Sequence, residues 1–242
     1  MLELTMRLEN IVLGMIYVTG GVEGVNSSSE VIRYSRLQGI MRTTPPIIER
    51  RHAHAVAAND ETISVLDGRK HLGGGLSNLS TCEYHFLSGR RQFTNQFCNY
   101  PSIFRWNVLP RMNRARWHSK AIWIPQHGIF VLGGYKANFS GEYSVELLRK
   151  SSSGYAFECT YHTHLLETSR CLLVAQVNER VFVHNANQPL PRFQMLNLKY
   201  IPNEKWTCIN CSIPLNEAFV AWSMTATIDG ILLSGLLDIS AL

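Results

Sequence analysis

Short runs of β-branched and aromatic residues, each stopped by glycine or another turn-forming residue, recur in phase along this chain. Ile16-Tyr17-Val18-Thr19 stops at Gly20-Gly21, Ile129-Phe130-Val131-Leu132 at Gly133-Gly134, and Ile231-Leu232-Leu233-Ser234 at Gly235. Such runs are strand signals. A glycine pair lets the chain leave a strand through backbone angles that other residues resist. Two further runs keep the shape without the pair: Ile63-Ser64-Val65-Leu66 before Asp67-Gly68, and Val181-Phe182-Val183 before His184-Asn185. Asp, Asn and Gly all tolerate turn geometry, so the substitutions preserve the backbone requirement. The runs end at 20, 67, 133, 184 and 234, with successive gaps of 47, 66, 51 and 50 residues. The pattern predicts an all-β chain of repeated units, with an insertion in the long gap.

Other features recur at fixed places in each unit. An arginine and a short apolar strand precede the runs: Arg51-His52-Ala53-His54-Ala55-Val56, Arg116-Trp117-His118-Ser119-Lys120-Ala121, and Arg170-Cys171-Leu172-Leu173-Val174. Leu8 to Leu13 is the candidate for the same strand before the first run. A third strand follows at Ser29 to Tyr34, Thr81 to Phe86, Tyr143 to Leu148 and Arg192 to Asn197. A fourth carries a large aromatic: Trp106 before Val108-Leu109-Pro110, Trp206 before Cys208-Ile209, and Phe157 in the third unit.

This order (Arg-x-x-His and an apolar strand, a strand ending Gly-Gly, Glu-x-Tyr, then Trp with a following Leu-Pro) resembles the kelch repeat. The resemblance spans about residues 12 to 235 and is strongest in Ile16–Tyr34 and Arg116–Phe157. It implies an all-β fold of the kelch-type β-propeller kind, incomplete, with about four to five blades of four antiparallel strands. One domain over 1–242 divides into units of about 8–48, 49–110, 111–165, 166–212 and 213–242. A lone four-stranded sheet of this size cannot cover both of its faces, and radial stacking buries them against neighbours. Tyr34, Trp106, Phe157 and Trp206 are then expected between blades, each ring contributing roughly 2 kcal/mol or more on burial.

In function the resemblance implies a non-enzymatic protein-interaction module. The roles it brings are the substrate-recognition part of a cullin-type ubiquitin ligase adaptor, or an actin binder. Arginines at the start of the first strand face the mouth of such propellers, and the matching positions are Arg51, Arg116 and Arg170. Arginine offers two-point pairing to carboxylates. Tyr135 and Lys136, just after a glycine pair, are further binding candidates. The bland account is that the arginines brace neighbouring blades. The alternatives from other classes are a propeller oxidoreductase with a metal on its axis and a truncated product without independent function.

Composition narrows the rest. Apolar residues make up 45% and charged residues 17%, which suits a packed core rather than disorder. The net charge of +5 is too small to argue for nucleic acid. No segment reaches the apolar length of a membrane span, and residues 1–10 carry Glu3, Arg7 and Glu9, unlike a secretory signal. The six cysteines are irregularly spaced and read as reduced thiols in a cytoplasmic setting. Asn-x-Ser sequons at Asn26, Asn78, Asn138 and Asn210 are then chance matches.

Neither a cofactor nor a resident metal is expected. Cys208-Ile209-Asn210-Cys211 lacks the second pair that structural zinc wants. His52-x-His54 and His162-x-His164 place two rings on one strand face, but the first pair sits in the repeat's own Arg-His segment. Gly73-Gly74-Gly75 fits no phosphate-binding loop and reads as a flexible turn. No catalytic residues are assigned.

Overall fold

The computed structural model describes residues 8–12, 15–35, 37–87, 105–151, 157–168, 172–186, 192–201, 205–210, 219–227 and 230–237. Among them there is no α-helix, only a single 3-10 turn at Leu198–Tyr200. The first unit contains β1 (Leu8–Val12), β2 (Met15–Thr19), the short ribbon β3 (Val22–Glu23) and β4 (Asn26–Ser27), then β5 (Val31–Ser35) and β6 (Ile40–Thr44). The second has β7 (Ala55–Ala58), β8 (Thr62–Leu66), the ribbon β9 (Arg69–Leu72) and β10 (Gly75–Asn78), then β11 (Cys82–Phe86) and β12 (Asn107–Leu109). The third is β13 (Lys120–Ile124), β14 (Gly128–Leu132), β15 (Ser144–Lys150) and β16 (Phe157–His164). The fourth is β17 (Leu172–Val177), β18 (Arg180–Asn185), β19 (Arg192–Asn197) and β20 (Thr207–Asn210). A hairpin of β21 (Phe219–Thr227) and β22 (Gly230–Leu237) follows.

Four four-stranded antiparallel sheets result, in spatial order β1-β2-β5-β6, β12-β11-β8-β7, β13-β14-β15-β16 and β17-β18-β19-β20. The first strands neighbour one another in succession, β1 beside β7, β7 beside β13, β13 beside β17 and β17 beside β21. The first sheet is complete, because Leu8–Val12 pairs along the whole of β2. Its sequence signal was weak since Glu9 and Asn10 break the apolar run. The last apolar run does not stop at Gly235: β22 continues to Leu237 against Phe219. The long gap includes the connection between β11 and β12, residues 87–106, of which 88–104 lie outside the described residues.

Alternation along each strand distributes the core into layers between successive sheets. Tyr17, Val31 and Ile47 meet Ile63, Val65 and Trp106. Leu66, Cys82 and Leu109 meet Ile129, Val131 and Leu148. Phe130, Leu132 and Val145 on the other face of the third sheet meet Leu172, Val181 and Trp206. Ala175 and Phe193 meet Met224, with Phe182, Ile231 and Leu233 partly buried around them. Trp106, Phe157 and Trp206 lie in these layers as expected. Tyr34 is only half-buried and joins none of them.

Candidate interaction face

Antiparallel pairing puts the connection after every second strand at the same end as the linker entering every first strand. At that end the chain turns through the glycine pairs. Gly133 and Gly134 have φ of +61° and +93°, and Asp67 and Gly68 have +53° and +101°. A Cβ on Gly134 would stand 2.6 Å from the Trp117 carbonyl oxygen, so the close approach of two chains demands glycine there. Asp67 occupies the left-handed region that Asp tolerates better than most side chains.

Arg51 and Arg116 do not open onto this end. Both are fully buried. Arg51 pairs through Nη2 with Glu83 Oε1. Its Nη1 donates to the carbonyls of Asp67 and Thr81, each at 2.8 Å, and Nη2 donates to Thr81 Oγ1 at 3.1 Å. Arg116 repeats the arrangement with Glu146, the Ser144 carbonyl at 2.7 Å and Ser144 Oγ at 2.8 Å. Meanwhile the Arg51 carbonyl accepts from Gly21 N of the first unit, and the Arg116 carbonyl from Gly68 N of the second, both at 2.9 Å. Each arginine therefore ties one sheet to the next. With the donors spent internally, neither guanidinium is exposed to a partner. Arg170 lies outside the described residues.

The glutamates complete the joint. Glu83 accepts from Ile48 N at 2.5 Å and Glu49 N at 3.0 Å, and Glu146 from Asn113 N at 2.6 Å and Arg114 N at 3.1 Å. The arginine follows three residues after the first of these amides in both cases. In the fourth sheet Gln194 takes the carboxylate's place, accepting from Leu166 N at 2.6 Å and Glu167 N at 3.1 Å and donating to the Glu167 carbonyl at 2.9 Å. Three residues after Leu166 the sequence has Ser169, with Arg170 one place on. An amide satisfies the backbone without requiring a cation beside it.

Among the described residues, the exposed part of this end is formed by the two ribbons and the loop 135–141. The ribbons are joined by Ser27, whose Oγ accepts from His71 N at 2.8 Å and meets His52 Nδ1 at 2.9 Å. Arg69 extends from the second ribbon over the Trp117 ring, its Cζ 3.6 Å from the centroid, and reaches to 4.8 Å from the Phe139 ring. Asn78 Oδ1 accepts from Arg69 Nε at 3.0 Å. Trp117 donates from Nε1 to the Lys136 carbonyl at 3.1 Å and meets Phe139 edge-on. Tyr135 is half-buried against Trp117, and Lys136 is exposed at the loop's start. Beyond this framework Val25, Leu72, Leu76 and Phe139 expose half or more of their surface. Three units thus contribute apolar tips to one end on interlocked supports. The sequence pointed to Tyr135 and Lys136. It missed Arg69, Trp117 and Phe139, whose only signal was their position beside the turn residues.

Buried polar groups lie beneath. His54 Nε2 meets Thr19 Oγ1 at 2.8 Å, and burial lowers its pKa to about 3, so the ring is neutral. Asp67 is fully buried; burial raises its pKa to about 7 against the opposing hydrogen bond of Ser119. Cys159 is pushed up to about 12, chiefly by burial and by Glu146. The histidine pairs do not converge: His52 is with Ser27, His54 with Thr19, and His162 lies against the Phe130 ring. Among the described residues no three His, Cys, Asp or Glu side chains form a metal-binding group. Cys211 lies outside them. At the opposite end, an open groove of about 570 Å³ is lined by Asn178, Arg180, Phe182, Lys199 and Tyr200 among others.

The chain matches no protein-family model and no curated protein. No described helix is long and apolar enough to cross a membrane.

Proposed function

We propose that this chain is a kelch-type β-propeller arc acting as a non-enzymatic protein-interaction module. Support for the architecture comes from the five units in phase, the first strands in succession and the apolar layer between each adjacent pair of sheets. Support for recognition comes from one observation above the others. Val25, Leu72, Leu76 and Phe139 are exposed on loops of three units whose bases are locked by Ser27, Arg69 and Trp117. Apolar tips on a rigid base lose little conformational entropy on binding, so their burial converts into affinity. The substrate-recognition part of a cullin-type ubiquitin ligase adaptor and an actin-binding module are the roles the resemblance offers, both in the cytoplasm.

A photo-crosslinking amino acid placed singly at Leu72 or Phe139 is expected to capture a protein partner in cells. The control positions are Leu37 and Met41, which are as exposed but lie on the turn between β5 and β6 and on β6. Equal capture at all four positions, or capture at the control positions alone, would remove the ribbon end from the proposal.

A further inference from the structure

We propose that Asp67 and Ser119 form a proton-linked latch between the second and third sheets, closed when Asp67 carries its proton and loosened when it loses it. Asp67 stands at the first position of the turn pair after β8, and its side chain crosses the joint. Its Oδ2 is hydrogen-bonded to Ser119 Oγ, in the linker entering the third sheet. Its Oδ1 accepts from Ala55 N at 3.1 Å. Nothing of the residue is exposed.

The charges around it are already matched. The two arginines facing Asp67 are Arg51, which is paired with Glu83, and Arg116, which is paired with Glu146. His54, on the linker before Ala55, is neutral. Cys82, on the neighbouring strand β11, is buried and its thiol is raised, so it stays protonated. Glu142 is bound to Ser144 N at 3.0 Å. A carboxylate at Asp67 would thus be the unmatched negative charge of a dry joint, solvated by one hydroxyl and one amide. The acid form fits that site, and burial holds it to about neutral pH. Once ionised, the group keeps the Ser119 hydroxyl and the Ala55 amide as donors, but two donors under-solvate a buried carboxylate, and it is relieved by admitting water to the joint. The cross-joint hydrogen bonds beside it, Gly68 N to the Arg116 carbonyl and His118 N to the Ala53 carbonyl, then open more often.

Linkage fixes the sign. The closed joint keeps its proton to about pH 7, whereas the open joint releases it at the ordinary carboxylate value. Opening should therefore grow about tenfold between pH 6 and pH 8, about fivefold of it below the upper pKa and about twofold above. The test is amide exchange at Gly68 and His118 in the whole chain, corrected for intrinsic rates, in the wild type and in Asp67→Asn. Asn tolerates the left-handed backbone at this position. The wild type is expected to lose about tenfold protection at these two amides, and Asp67→Asn to lose none. Unchanged protection in the wild type, or the same loss in Asp67→Asn, would overturn the latch. A direct reading needs no variant: the carboxyl carbon resonance of Asp67 should titrate near neutrality, and titration in the ordinary range around pH 4 would overturn it.

Discussion

The second and third sheets are fastened differently from the fourth. In the former, a buried arginine joins the preceding sheet through its carbonyl and its own sheet through its guanidinium, against Glu83 or Glu146. In the latter, Gln194 holds the linker with amide hydrogen bonds alone. The aromatics differ too. Trp106 Nε1 donates to the Pro45 carbonyl at 2.8 Å, while Trp206 Nε1 is buried with no partner among the described residues. Among the described side chains, Ala175, Phe193 and Met224 form the apolar layer that the hairpin beyond adds. One architecture therefore carries two kinds of joint, ionic and interlocked in the second and third sheets, amide-based in the fourth. Breaking an ionic joint by removing one partner leaves a charge without its match, whereas an amide joint has no charge to strand.

The largest expected effect follows from that difference. Arg116→Met should cost about 3–5 kcal/mol in denaturant unfolding, because Glu146 stays buried and unpaired. Adding Glu146→Gln, which removes the stranded charge and keeps an acceptor for Asn113 N and Arg114 N, should recover part of the loss; no recovery would show that the arginine acts by packing alone. A smaller effect is expected from imposing the ionic form on the fourth sheet. Gln194→Glu should cost about 1–3 kcal/mol, since it buries a carboxylate where Ser169 holds the arginine's place in sequence. Adding Ser169→Arg should return part of it, and a neutral Gln194→Glu would erase the distinction between the joints.

The buried pair His54 and Asp67 sharpens the comparison through pH. His54 titrates below its unfolded value, so its contribution is lost as pH falls from about 6.5 toward 3. Asp67 titrates above its own, so its contribution is lost as pH rises from about 4 toward 7. Between about pH 4 and 6.5 the two slopes oppose and cancel. His54→Gln should expose the Asp67 slope: relative to the wild type, its stability should fall by about 1.4 kcal/mol per pH unit of increase in that window, the opposing slopes of His52, His85, His162 and Glu142 being common to both. A profile parallel to the wild type would contradict it. The smallest effect belongs to the ribbon support: Arg69→Ala should cost about 0.5–2 kcal/mol in thermal unfolding through the lost stacking on Trp117. A larger loss would make the ribbon part of the core.

Much of the fold was legible because strand runs and turn residues are local signals. Ile129 to Leu132 and the following Gly133-Gly134 specify a strand and its exit without reference to anything distant. Leu8–Val12 and Ile40–Thr44 were harder, since Glu9, Asn10, Arg42 and the threonines mute the apolar pattern on strands whose pairing comes from the neighbour. At the candidate face, Lys136 was legible as an exposed loop residue. Arg51 and Arg116 were not, because their burial depends on glutamates 32 and 30 residues away. A long-range partner leaves no local trace. Comparing units in register, with Glu83, Glu146 and Gln194 at one position and Ile32 at the same position in the first sheet, is what makes the joint visible.

Hydrogen exchange followed peptide by peptide across the whole chain tests the two kinds of joint most directly. Peptides from β8, β11, β14 and β15 should exchange slowest, those from β18 and β19 sooner, and β21 and β22 first. Protection in the fourth sheet equal to or above that of the second and third would contradict the claim that the buried arginine–glutamate joints are the stronger fastening.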